Sequence, residues 1–147
     1  MNPFDIKTVF LAKHAQHVVL VHFPIALFTV AVAFDFIAQW TKNRSLASTV
    51  YCNLLVAAVF TLPVLASGLI AWRWALLGQK LTGILRMHLV LGCLSSLLIW
   101  LVFLIHWKAR QNPADSLPRF RLAIEALAVM LIALTGHLGG ILSGINS

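Results

Sequence analysis

Four long apolar runs leave this chain few ways to fold. They lie at about residues 17–40, 46–77, 84–107 and 120–145 of 147, and together they take up most of its length. A membrane span takes roughly 20 apolar residues, so four or five spans are the most the chain can hold. No room is left for a second, soluble domain. Composition agrees: 61% of residues are hydrophobic and only 10% charged, against about 45–50% and 25% in ordinary soluble domains. The mean hydropathy is +0.92. Disorder, a coiled coil, a disulfide scaffold and a water-soluble domain are excluded. The expected fold is all-α: an integral membrane four-helix antiparallel bundle, one domain over residues 1–147. A short interfacial segment is expected before it, in residues 1–16, where Phe4, Val9, Phe10 and Leu11 alternate with Asp5, Lys7 and Lys13.

The ends of the spans carry interface residues. Trp40 and Lys42 close the first, Trp72-Arg73-Trp74 marks the exit of the second, and Trp107, Lys108 and Arg110 close the third. Pro63 predicts a kink between Val59 and Pro63. Ala31-Val-Ala33 resembles a signal cleavage site, but the apolar run before it contains His22 and Pro24 and continues past it, so the segment is expected to be retained.

Lys and Arg number 11 against 4 Asp and Glu, a net charge of +7. The basic residues sit in short loops beside apolar runs. There they act as topology signals and anionic-lipid contacts, not as a nucleic-acid surface. Four spans put both termini on one side. Lys7, Lys13, Arg73, Lys80 and Arg86 fall on that side, and Lys42, Arg44, Lys108, Arg110, Arg119 and Arg121 on the other. The positive-inside rule then places the two loops between spans one and two, and three and four, in the cytoplasm. Cys52 and Cys93 fall inside apolar runs and are expected to be small buried hydrophobes.

Ionisable groups inside a membrane are costly, and they usually face the bundle interior. Six histidines are therefore the main functional signal. His14, His17, His22, His88 and His137 collect toward the terminal-bearing side. His22, His88 and His137 come from three different spans, each roughly 5–10 Å below that interface at ~1.5 Å per residue. Small residues share their helical stripes: Ala26, Thr29 and Ala33 with His22; Gly92 and Ser95 with His88; Ala126, Ala133 and Gly140 with His137. Small residues mark close helix contacts in membranes, so all three histidines are expected to point to where helices meet. His106 lies five turns from His88 on the same stripe and, beside Trp107 and Lys108, reads as an interface anchor. Asp35 and Glu125, toward the other face, are expected to form structural ion pairs with Arg121, Arg44 or His106; a proton-entry path is the sharper reading.

Paired imidazoles flanked by glycines suit a b-type haem, whose iron takes axial histidines. Gly92, Gly136, Gly139 and Gly140 would give the macrocycle bare wall, and Arg73 and Arg86 would pair with its propionates. Three imidazoles also suit copper or zinc. Ser95, Ser96, Ser143 and Ser147 have no Ser-His-Asp setting, and no phosphate-binding loop exists, so neither a hydrolase nor a transferase is expected.

The stretch QHVVLVHFPIALF, with His17 and His22 five apart before Phe23-Pro24-Ile25-Ala26, is followed by Asp35 in the same span. With GHLGG at 136–140, it resembles a bacterial family of four-helix membrane proteins, domain of unknown function 2231, over essentially the whole chain. In that family proline usually follows the first histidine; here Val18 stands there. The third-span histidine, His88 after Arg86, also matches a family position. Relatives look to be joined to cytochrome-like modules, which implies electron transfer. The resemblance implies a multi-pass protein of the bacterial inner membrane, with periplasmic termini on the charge reading above. Three functions are open. One is a haem b subunit passing electrons between quinone and a c-type cytochrome or larger respiratory complex. The second is a copper- or zinc-binding transport protein, and the third a ligand-free membrane anchor. The favoured haem ligands are His88 and His137, with His22 as the alternative, and His14 and His17 at the water boundary.

Overall fold

The computed structural model describes residues 13–43, 45–74, 76–112 and 117–144. They form four helices: α1 (Lys13–Thr41), α2 (Leu46–Trp74), α3 (Gly83–Gln111) and α4 (Arg121–Leu142). Each is long and apolar enough to cross a membrane, and there is no strand among the described residues. The protein is an all-α, multi-pass membrane bundle. The second span stops at Trp74 rather than Leu77, and the third runs on to Gln111. Residues 13–16 already belong to α1, and the rest of the expected interfacial segment lies outside the described residues.

Short connections make successive helices antiparallel neighbours. α1 packs on α2, α2 on α3, α3 on α4, and α4 closes back on α1. That ring order sets α1 diagonally opposite α3. One end of the bundle, the histidine end, gathers the start of α1, the end of α2, the start of α3 and the end of α4. The other, the charged end, gathers the opposite termini.

The turns are specified locally. After α1, Lys42 adopts a left-handed φ of 56°, and Asn43 Oδ1 accepts from both Ser45 N (3.0 Å) and Ser45 Oγ (2.6 Å), which starts α2. After α2, Leu77 and Gly78 take φ of 52° and 64°, and Trp72 Nε1 donates to Gln79 O at 2.8 Å, pinning the turn. α2 continues through Pro63 and α1 through Pro24. Membrane helices tolerate proline because neighbours resatisfy the freed backbone groups.

The core lies mid-bundle and draws on all four helices: Phe28 and Ala31 from α1, Leu54 and Ala57 from α2, Val102 from α3, and Ala128 and Ile132 from α4. Large apolar side chains such as Leu97, Met130 and Leu134 stay exposed on the outer surface, where lipid is their solvent. Cys52 and Cys93 are exposed there too, which corrects their expected burial. In a bilayer, an apolar side chain is as stable facing lipid as facing the core, so hydrophobicity does not predict depth within the bundle.

Candidate functional site

Two polar layers interrupt the apolar interior, one at each end. Their spacing is set by two diagonal helices. His17 and Asp35 on α1 are 18 residues apart, as are His88 and His106 on α3. Eighteen residues are five full turns, so each pair shares one helix face at ~27 Å separation.

At the histidine end, His17 Nδ1 bonds Ser67 Oγ of α2 at 2.9 Å. Ser67 Oγ in turn donates to Val64 O at 2.9 Å, so its hydrogen is committed, and His17 Nδ1–H must be the donor. His88 Nδ1 lies 3.0 Å from the Thr135 backbone carbonyl of α4, which only accepts. Both imidazoles are thereby held as Nδ1–H tautomers, with the lone pair on Nε2. This is how metal-ligating histidines are generally held. The two rings meet edge to face from diagonal helices, centroids 6.4 Å apart and nearly perpendicular at 89°. A glycine on the neighbouring helix seats each ring. A Cβ on Gly68 would lie 3.1 Å from His17 Cε1, and one on Gly139 would lie 3.2 Å from His88 Cε1. Ser95 Oγ and Thr135 Oγ1, 3.4 Å apart, tie α3 to α4 below the pair.

At the charged end, Arg121 (2% exposed) grips Asp35 through two bonds. Its Nε donates to Oδ2 at 2.8 Å and its Nη2 to Oδ1 at 3.1 Å. Nη2 also reaches Gln39 Oε1 and Nη1 the Pro118 carbonyl, both at 3.3 Å. His106 Nε2 lies 3.2 Å from Glu125 Oε1 and 3.9 Å from Asp35 Oδ2. Glu125 is 1% exposed, and its Oε2 is buried with no hydrogen-bond partner. Donor atoms of Asp35, His106 and Glu125 come within 4.8 Å of one another. The guanidinium already occupies both Asp35 oxygens, however, so a cation is in place where a metal would sit.

The structure redistributes the residues expected to form the site. His88 turns inward on its predicted stripe with Gly92 and Ser95. His22 is exposed and bonds its own helix, Nδ1 to Val18 O at 2.6 Å. His137 is exposed as well, so His22, His88 and His137 do not converge. The stripe His22, Ala26, Thr29, Ala33 lies wholly on the outer surface, as do Ala126 and Ala133 with His137. His17, expected at the water boundary, is the residue that meets His88. His106 is no interface anchor: it is 6% exposed and bonded to Glu125. Gly92 lies close to α4, with Thr135 Cγ2 at 3.8 Å from a built Cβ. Gly140 is half-buried, and Arg73 and Arg86 are exposed at the histidine end. The side chain of His14 and all of Arg44 lie outside the described residues. Ser67, Gly68 and Thr135 were not expected in the site. Counting five turns back from Asp35 reaches His17, and this is the signal that would have found the pair.

Residues 13–144 match the family described as "Predicted membrane protein (DUF2231)". No curated protein and no solved structure matches the chain.

Proposed function

Starting from a chain that belongs to DUF2231, a family of predicted membrane proteins, we propose that it is a membrane-embedded b-type haem protein with His17 and His88 as axial ligands. Its role is electron transfer between quinone and a carrier on the periplasmic side. The observation that carries this reading is the 6.4 Å separation of the two ring centres, one ring from each diagonal helix. Two imidazoles sharing one metal at about 2 Å each hold their ring centres roughly 6 Å apart.

The residues fit a haem in other respects. Both Nε2 atoms carry the lone pair a ligand needs, and Ser67 and the Thr135 carbonyl orient the rings, raising their basicity. Arg73 and Arg86, exposed at this end, suit the propionates. Bound haem would supply a one-electron couple. The chain's own part is to fix two ligands from opposite helices, so that little rearranges when the charge changes. Copper or zinc is the second reading. Structural zinc asks for four ligands, and of the described histidines at this end only His17 and His88 come together, His22 and His137 being exposed, which favours haem.

The test is a pyridine haemochrome assay with metal analysis on the same purified sample. One b haem per chain supports the reading. A colourless protein that carries copper or zinc in its place overturns it, and a colourless protein with no metal leaves a structural membrane anchor.

A further inference from the structure

The charged end holds four ionisable side chains from three helices, sealed from water and lipid. Arg121 is cationic at any ordinary pH. Asp35, bound through both oxygens to that guanidinium, is its counter-charge. These two cancel. The remaining pair, His106 from α3 and Glu125 from α4, carries a net negative charge if His106 is singly protonated and Glu125 ionised. An uncompensated charge is expensive in a buried site. A second observation points the same way. Glu125 Oε2 is buried without any donor, and an ionised oxygen left without a donor loses more than a neutral one does.

We propose that the His106–Glu125 pair binds one exchangeable proton beyond the single proton a neutral imidazole carries, which makes the four-residue cluster electrically neutral. The proton has two seats. Either Glu125 is a carboxylic acid beside neutral His106, or Glu125 is a carboxylate beside an imidazolium. The two states differ only by a shift along the 3.2 Å contact between Nε2 and Oε1. No covalent bond other than those to this proton forms or breaks.

Among the described residues, the charges that act on Glu125 are those of His106, Asp35 and Arg121. α2 offers none at this depth, since its opening stretch from Leu46 to Leu54 contains no acid, lysine, arginine or histidine. Arg121 links the cluster to the bundle end: its Nη2 touches exposed Gln39 and its Nη1 the Pro118 carbonyl in the α3–α4 connection. The cluster lies ~27 Å from the histidine pair along α3, and the inference stands whether or not that pair holds a haem.

The experiment is a count of protons by nuclear magnetic resonance at neutral pH, on the whole protein in lipid nanodiscs. Carboxyl carbon and imidazole nitrogen signals are assigned by their loss in Glu125→Gln and His106→Gln. One extra proton on the pair is the expected count. Zero, with Glu125 ionised and His106 singly protonated, overturns the proposal. So does two, with Glu125 protonated and His106 an imidazolium. Asp35→Asn supplies the second arm. Removing one negative charge leaves Arg121 to be balanced by Glu125, so the extra proton should leave. A folded Asp35→Asn protein that keeps it contradicts the electroneutrality argument. If that variant does not fold, the wild-type count decides alone.

Discussion

The imidazoles of His17 and His88 meet across the bundle axis, 6.4 Å between centroids, although they belong to diagonal helices. Each is bonded to the neighbour of its own helix rather than to the other ring: His17 to Ser67 of α2 and His88 to Thr135 of α4. The site is therefore two helix pairs, each presenting one oriented ring to the other. Ring spacing depends on how the pairs α1–α2 and α3–α4 are set against each other, and the orientation of each ring depends on contacts within its pair.

The glycine seats make this testable. Gly139→Val places branched carbon where a Cβ alone would already stand 3.2 Å from His88 Cε1. Overpacking of this kind costs about 1–3 kcal/mol, and the ring must move. The expected outcome is a lower unfolding midpoint in detergent together with loss of any bound pigment. Unchanged stability with unchanged pigment would show that the ring does not rest there.

The Asp35–Arg121 pair should behave as a buried ion pair. Arg121→Ala leaves Asp35 buried without its partner and should destabilise the fold by about 3–5 kcal/mol. Asp35→Leu combined with Arg121→Met, which removes both charges, should cost clearly less than the sum of Asp35→Leu alone and Arg121→Met alone. Denaturant titration followed by circular dichroism reads both; additive losses would mean the two residues do not act as a pair.

The span count and the family were legible in the sequence, because length and apolarity alone decide whether a helix crosses a bilayer. The pairing of Asp35 and Glu125 with Arg121 and His106 was legible in outline, since buried charges need partners. The rotation of α1 and of α4 was not. Lipid-facing surface is as apolar as core, so a small-residue stripe is a poor compass: on α1 it pointed through His22, Ala26, Thr29 and Ala33, all of them exposed. The ionisable residues were the better compass. Eighteen residues back from Asp35 is His17, and fourteen forward from Glu125, nearly four turns, is Gly139, the seat of His88.

Midway between the two layers, Trp100 Nε1 donates to Thr61 Oγ1 at 3.0 Å, while Thr61 Oγ1 donates to Ala58 O at 2.7 Å. Thr61→Val keeps the shape and removes the acceptor, leaving the indole N–H unpaired. A loss of about 1–3 kcal/mol is expected, with a shift in tryptophan emission. Equal stability would indicate that the indole finds another acceptor.

With four spans, both termini share one side, and the basic residues favour the loops 42–45 and 112–120 as cytoplasmic. A phosphatase reporter fused after Ser147, which folds only outside the cytoplasm, should be active. Activity from a cytoplasmic-only reporter at that position would invert the orientation and leave the span count intact.

The most direct test of the central claim is a dithionite-reduced minus oxidised spectrum of five single variants in purified, folded protein. His17→Ala and His88→Ala should each abolish or severely weaken the haem b signal, since both imidazoles would be needed to hold the iron. His22→Ala, His137→Ala and His106→Ala should retain it. A signal that survives at full strength in His17→Ala or in His88→Ala, or one that disappears with His22→Ala or His137→Ala, would contradict the claim.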